Sequence, residues 1–155
     1  MNNGKIETRG NNNFENEIKN LKKVFEERKL KTSNGEIEES IKDLSRRPDA
    51  DITGAIQHSI AALECVSREV TGTKMTLGEL IKKYPNIVPS PLDIVISKIW
   101  GFSSEQGRHL REGRVPEYKE AELMVNLSIA LCSYLCKKYI SPIANEEENL
   151  PFLIN

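Results

Sequence analysis

Apolar residues recur at helical spacing over most of the chain, and no run alternates with a period of two long enough to demand a strand. The first stripe is Phe14, Ile18, Leu21 and Phe25, set among Glu, Lys and Arg residues that suit a solvated face. It predicts a helix that stops by Asn34-Gly35, a dipeptide with the chemistry of a helix C-terminus. A weaker stripe, Ile37, Ile41 and Leu44, follows before Ser45-Arg46-Arg47-Pro48-Asp49-Ala50-Asp51 breaks the pattern. Beyond the break the apolar density rises. Ile56, Ile60, Leu63 and Val70 form the stripe of a helix that Thr53 can cap and Thr71-Gly72 ends. Gln57, Ala61, Glu64 and Arg68 share another flank of it, and Glu64 and Arg68, one turn apart, make a surface pair worth about 0.2–0.5 kcal/mol.

Thr76-Leu77-Gly78-Glu79 is a capping box for a short helix through Leu80, Ile81 and Tyr84, which Pro85 stops. Ser90-Pro91-Leu92-Asp93 supplies a cap, a proline for the first helical position and an acid for the first turn, opening a helix through Ile94, Val95 and Ile99 to Trp100-Gly101. Val115-Pro116-Glu117 opens the last and longest pattern, in which Ala121, Met124, Leu127, Leu131, Leu135 and Tyr139 recur until Ser141-Pro142. Lys137 and Lys138 stand where the helix dipole favours cations. There is no repeat at a solenoid period. The expected fold class is therefore all-α: a bundle of four to five helices with an N-terminal helical extension.

Length and composition set the boundaries. A chain of 155 residues with 38% hydrophobic and 29% charged residues is long enough for one domain with a real core and short for two. Residues 1–13 are Asn- and Gly-rich and bury too little to offset the entropy of ordering, so they read as a disordered tail. Residues 14–47 form the helical extension, 50–142 the bundle domain, and 143–155 a C-terminal tail that is acidic at Glu146-Glu147-Glu148 and apolar from Leu150 to Ile154. The apolar stripe of residues 14–25 and the apolar tail both need partners, which predicts a homodimer of twofold symmetry.

No apolar run follows Met1-Asn2-Asn3-Gly4-Lys5, so a signal peptide is not indicated, and the longest apolar stretch, Leu123 to Tyr134, is broken by Asn126, Ser128 and Ser133 and is shorter than the ~20 residues that span a bilayer. The expectation is a cytoplasmic protein with no membrane partner. The formal charge of −1, from 22 basic and 23 acidic residues, gives no global attraction for a polyanion, so any such site must be local. Cys65, Cys132 and Cys136 lack metal-ligand spacing and read as buried thiols of an intracellular protein. No phosphate loop, zinc-protease motif or serine elbow occurs, so neither a metal nor a cofactor is expected.

The chemistry then concentrates in Gly101-Phe102-Ser103-Ser104-Glu105-Gln106-Gly107-Arg108-His109-Leu110-Arg111-Glu112-Gly113-Arg114. Arg108, Arg111 and Arg114 lie on one side of a helix if the segment is helical, and guanidinium groups bind phosphate oxygens bidentately. His109 can move a proton near neutral pH. The same segment also reads as a solvated loop in which Glu105 and Glu112 pair the arginines. His58, the only other histidine, is the second member of an acid/base pair or a structural hydrogen-bonding residue.

Thr53-Gly54-Ala55-Ile56-Gln57-His58, Ala62-Leu63-Glu64-Cys65-Val66 and Trp100-Gly101-Phe102-Ser103-Ser104-Glu105-Gln106-Gly107-Arg108-His109 together give a resemblance. Over roughly residues 40 to 140 the chain resembles the C-terminal helical domain of abortive-infection-type bacterial proteins, related to the HEPN superfamily. The resemblance implies a four- or five-helix bundle, often dimeric, and a metal-independent ribonuclease serving as a toxin or phage-defence effector. It would give Arg108 the scissile phosphate, His109 the general acid or base role, and His58 a supporting one. The family's nuclease motif sets an arginine a short distance before its histidine, whereas Arg108 and His109 are contiguous. The other implied reading is a non-catalytic module of a defence system that binds RNA, a nucleotide or a partner protein.

Overall fold

The structure, a computed structural model, describes residues 12–109 and 116–140. Most of the N-terminal tail and all of the segment 143–155 lie outside these residues. Among the described residues the regular structure is entirely helical: α1 (Asn12–Glu27), α2 (Lys31–Ser45), α3 (Ile52–Thr71), α4 (Leu77–Lys83), α5 (Asp93–His109) and α6 (Tyr118–Leu135), the last continuing as a π-helical turn, Cys136–Ile140. The fold class is all-α.

The first helix does not run to Asn34-Gly35. It ends at Glu27, and Lys29 takes the left-handed conformation, φ 57°, that a glycine would normally supply. Leu30 N donates to Phe25 O at 2.8 Å and Lys29 N to Glu26 O at 3.1 Å, the paired bonds of a Schellman stop. The apolar contact that accompanies such a stop decides the matter: Phe25 is buried and Leu30 packs against the same cluster. Asn34 N already donates to Leu30 O at 3.0 Å, so Gly35 lies inside the first turns of α2.

The other boundaries follow local chemistry with small corrections. Asp51, not Thr53, caps α3, its side chain accepting from Gly54 N at 2.8 Å. Gly72, φ 64°, ends that helix. Thr76 and Glu79 form both bonds of the capping box of α4. Helix α5 opens at Asp93 and passes straight through Trp100-Gly101 to His109. Beyond its own stretch of helix, no atom lies within 4 Å of where a Cβ on Gly101 would be, so no close approach requires a glycine there.

Helix α3 is the centre of the molecule, with α2 and α6 packed along it and α4 and α5 against its remaining surface. Small residues make the α3/α6 approach close: Ala55, Ser59 and Ala62 on one side, Ala121, Ser128 and Cys132 on the other, all buried. The Ser128 hydroxyl donates to Ser59 Oγ across this seam at 3.4 Å. Ile18, Leu21 and Phe25 of α1 and Ile37 of α2 belong to the same hydrophobic cluster as Ile56, Leu63, Val66, Ile129 and Leu135. Each such side chain contributes about 1.5–3 kcal/mol by its burial, so the helices before the break at residues 45–51 share one core with those after it. Glu17 fastens α1 to the other end of the chain: it accepts from Ser133 Oγ at 2.6 Å and from Lys137 Nζ at 2.9 Å.

Because the π-turn extends α6, Tyr118–Ile140 is long and apolar enough by length and composition to cross a membrane, with mean hydropathy 1.2. Its Ala121, Met124, Val125, Ile129, Cys132 and Leu135 are buried within the molecule.

Candidate functional site

Arg108 and His109 are the last two residues of α5. As consecutive residues of a helix they are about 100° apart around its axis. Arg111 and Arg114 lie outside the described residues. Helix α5 meets α3 through Gln57, whose side-chain amide donates to the Ser103 carbonyl at 3.3 Å.

One position further along α3, His58 turns to α2. Its Nδ1 lies 2.7 Å from Glu36 Oε2 and its Nε2 3.6 Å from Asp43 Oδ2. The Glu36 hydrogen bond is the main reason that the His58 pKa is raised above its ordinary value; partial burial opposes it, and the charges of Glu36, Asp43 and Glu39 add to it. Asp43 is buried and needs more than one partner: Arg46 Nη2 donates to its Oδ1 at 2.9 Å, while Arg46 Nη1 lies 3.6 Å from Asp51 Oδ2. The Asp43 carbonyl in turn accepts from Asp51 N at 2.9 Å. The cluster Glu36-Asp43-Arg46-Asp51-His58 thus clamps the end of α2 to the start of α3 across the break in the hydrophobic pattern. Gly54 permits the approach, since a Cβ there would come within 2.5 Å of Asp43 Oδ2 and 2.7 Å of Asp51 Oδ2.

Glu36 and Asp43 belong to α2, and the sequence pattern, which carries the first helix to Asn34-Gly35 and offers only the weaker stripe Ile37, Ile41 and Leu44 after it, does not mark them as partners of His58. The one available signal was the spacing of Glu36, Asp43 and their neighbours, which puts two acids on one face of a helix once its true start at Lys31 is known.

The second polar constellation is at the far end of α3. Arg68 Nη2 bonds Glu64 Oε1 at 2.7 Å, as the one-turn spacing predicts, but the pair also holds the segment beyond the helix. Arg68 Nε donates to the Met75 carbonyl at 2.7 Å and Leu77 N donates to Glu64 Oε2 at 2.7 Å. Beside it an open groove of about 610 Å³ runs between the α1–α2 turn and the C-terminal end of α3, lined among others by Lys29, Lys31, Ser33, Cys65, Arg68 and Lys74.

All three cysteines are free; Cys132 and Cys136 are buried and Cys65 half-buried. Burial pushes the Cys136 thiol up to about 11, raises Cys132 well above the usual range and raises Cys65 as well, so all three are neutral thiols at pH 7. Among the described residues no group of three or more His, Cys, Asp or Glu is placed to hold a metal ion. The chain matches no protein-family model, no curated protein and no solved structure.

Proposed function

We propose that this chain is a HEPN-like helical module that recognises RNA in the cytoplasm as part of a defence system, with Arg108, Arg111 and Arg114 as its phosphate-binding residues. The observation that carries recognition over cleavage is the position of His58. Its two ring nitrogens face Glu36 and Asp43, so neither is directed at an open cleft where a substrate proton could be taken. His109 is then left without a second acid/base histidine, and next to an arginine rather than spaced from one. An all-α architecture built around a central helix that carries the Thr53-Gly54-Ala55-Ile56-Gln57-His58 segment supports the family reading.

Binding of a short single-stranded RNA, measured by fluorescence anisotropy across a salt series in chelator, tests this. Each phosphate contact on a single strand contributes about −0.7 to the slope of log K against log salt. Arg108→Ala, Arg111→Ala and Arg114→Ala should each flatten the slope by about that amount while helical circular dichroism is unchanged. If the RNA is instead cleaved in chelator, with a deoxyribose at the cleavage point blocking the reaction and His109→Ala abolishing it, the chain is a metal-independent ribonuclease and recognition alone is the wrong reading.

A further inference from the structure

Helix α6 is apolar on two sides. Ala121, Val125, Ser128 and Cys132 fall on one arc of it and are buried on the side that meets α3. At about 100° per residue, Leu123, Leu127, Ala130 and Tyr134 fall within about 60° of one another on the opposite side. Their alternating four- and three-residue spacing is that of a seam between two helices. Leu123 is 58% exposed, Ala130 is exposed, and Leu127 and Tyr134 are half-buried. Less than half of the most apolar stretch of Tyr118–Ile140 is buried inside the molecule, whereas a helix apolar all round is normally covered on every side.

The charges at the two ends of this stripe point to what covers it. Glu117, Glu120 and Glu122 stand exposed at the start of the helix, with Lys119 as the one cation among them. Lys137 and Lys138 stand exposed at its end. Lys138 meets the rings of Tyr134 and Tyr139, 5.5 and 5.2 Å from their centroids, and no described carboxylate. Two copies of such a helix attract when they lie antiparallel, because each acidic start then faces the other's basic end and the helix dipoles oppose. The apolar positions fit the same arrangement. About a twofold axis at the level between Ser128 and Ile129, Leu123 of one copy meets Tyr134 of the other and Leu127 meets Ala130. The same axis sets Glu120 beside Lys137 and Glu117 near Lys138 of the other copy. Ala130 is small, so the two backbones can approach closely at the centre.

We infer that α6 pairs with α6 of a second copy of this chain, antiparallel across a twofold axis, through Leu123, Leu127, Ala130 and Tyr134. The stripe of α1 does not compete for this role, because Ile18, Leu21 and Phe25 lie in the chain's own core. A single helix pair is at the small end of specific interfaces, so the dimer should dissociate with a constant on the order of 10–100 µM. The interface is separate from the arginines proposed for RNA and does not depend on that reading.

The test uses the whole protein. Sedimentation equilibrium from low micromolar to near-millimolar concentration should show a reversible monomer–dimer equilibrium. In a mixture of isotope-labelled and unlabelled protein, isotope-filtered NOE spectra should connect the Leu123 methyl groups to the Tyr134 ring of the other copy. Leu123→Arg and Ala130→Arg, both at exposed positions, should each weaken association at least about tenfold with helical circular dichroism and Tm unchanged. Lys138→Glu should weaken it several-fold by setting like charges together. Ile94→Arg, at a comparably exposed apolar position on α5, should change nothing. A monomer at near-millimolar concentration would overturn the proposal, as would a dimer broken by Ile94→Arg and not by Leu123→Arg. Contacts from Leu123 to Leu123 of the other copy would show a parallel pair and overturn it too. A monomer that cosediments with vesicles of phosphatidylcholine and phosphatidylglycerol, and stops doing so in Leu123→Arg, would give this face to a lipid surface instead. RNA binding that fails while the dimer persists would leave this inference standing and remove only the RNA reading.

Discussion

His58 Nδ1 and Glu36 Oε2, 22 residues apart in sequence, lie 2.7 Å apart at the junction of α2 and α3. The raised pKa of His58 means that the folded state holds its proton more tightly than the unfolded chain does. The resulting stabilisation is fully present below the unfolded value of 6.5 and is lost as pH rises through the raised folded value. The side chain is 39% exposed, so solvent screens the pair and its contribution stays under about 1 kcal/mol. With only two histidines in the chain, ring-proton titration separates them. One ring should titrate above 6.5 and fall back toward it in Glu36→Gln, and the urea midpoint should drop more between mildly acidic and mildly basic pH in wild type than in His58→Gln. A His58 titration unchanged by Glu36→Gln would show that the pair does not form.

Gly54 is predicted to resist substitution for reasons of space. An added methyl group would press on Asp43 Oδ2, which is buried and tied to Arg46, and on the capping carboxylate of Asp51. Overpacking costs about 1–3 kcal/mol, against which the better helix propensity of alanine returns up to about 1 kcal/mol. Gly54→Ala should therefore destabilise by roughly 1–2 kcal/mol in urea unfolding. A neutral or stabilising result would mean that the cluster can move aside.

Lys29 offers the opposite case. A lysine held at φ 57° carries a conformational cost of about 1 kcal/mol that glycine does not, and glycine is the usual occupant of this place in a Schellman stop. Lys29→Gly should raise stability by roughly 0.5–1 kcal/mol in the same measurement. A loss of stability would show that the side chain is needed for the turn itself.

Glu64 is expected to matter more than a surface ion pair. Its carboxylate accepts from the amide of Leu77, a fully buried residue, as well as from Arg68. Removing it leaves the Leu77 amide without its acceptor, which costs about 1–3 kcal/mol, where an exposed one-turn pair alone would cost about 0.3–0.5 kcal/mol. Denaturant unfolding of Glu64→Ala distinguishes the two, and a loss within the smaller range would show the Leu77 bond to be dispensable.

What the sequence by itself determined is what neighbours in the chain decide. The apolar stripes established helices and excluded strands. The Thr76–Glu79 box and the Thr71-Gly72 stop were legible because their hydrogen bonds close within a few residues. Arg108, His109, Arg111 and Arg114 were legible as a basic run and as nothing more. The tertiary structure decided the rest, because each remaining choice depended on a partner far along the chain. Asn34-Gly35 had the chemistry of a stop, yet the stop went to Lys29, where Phe25 and Leu30 could reach the shared core. Gly101 could have ended α5, but the helix runs through it to His109. The break at residues 45–51 marked a change of composition and not the edge of the core, since Ile18, Leu21, Phe25 and Ile37 pack with residues of α3 and α6. His58 was visible as a histidine. Its partners Glu36 and Asp43 were not, because a side-chain pair across 22 residues leaves no periodic trace in the sequence and exists only once two helices have docked.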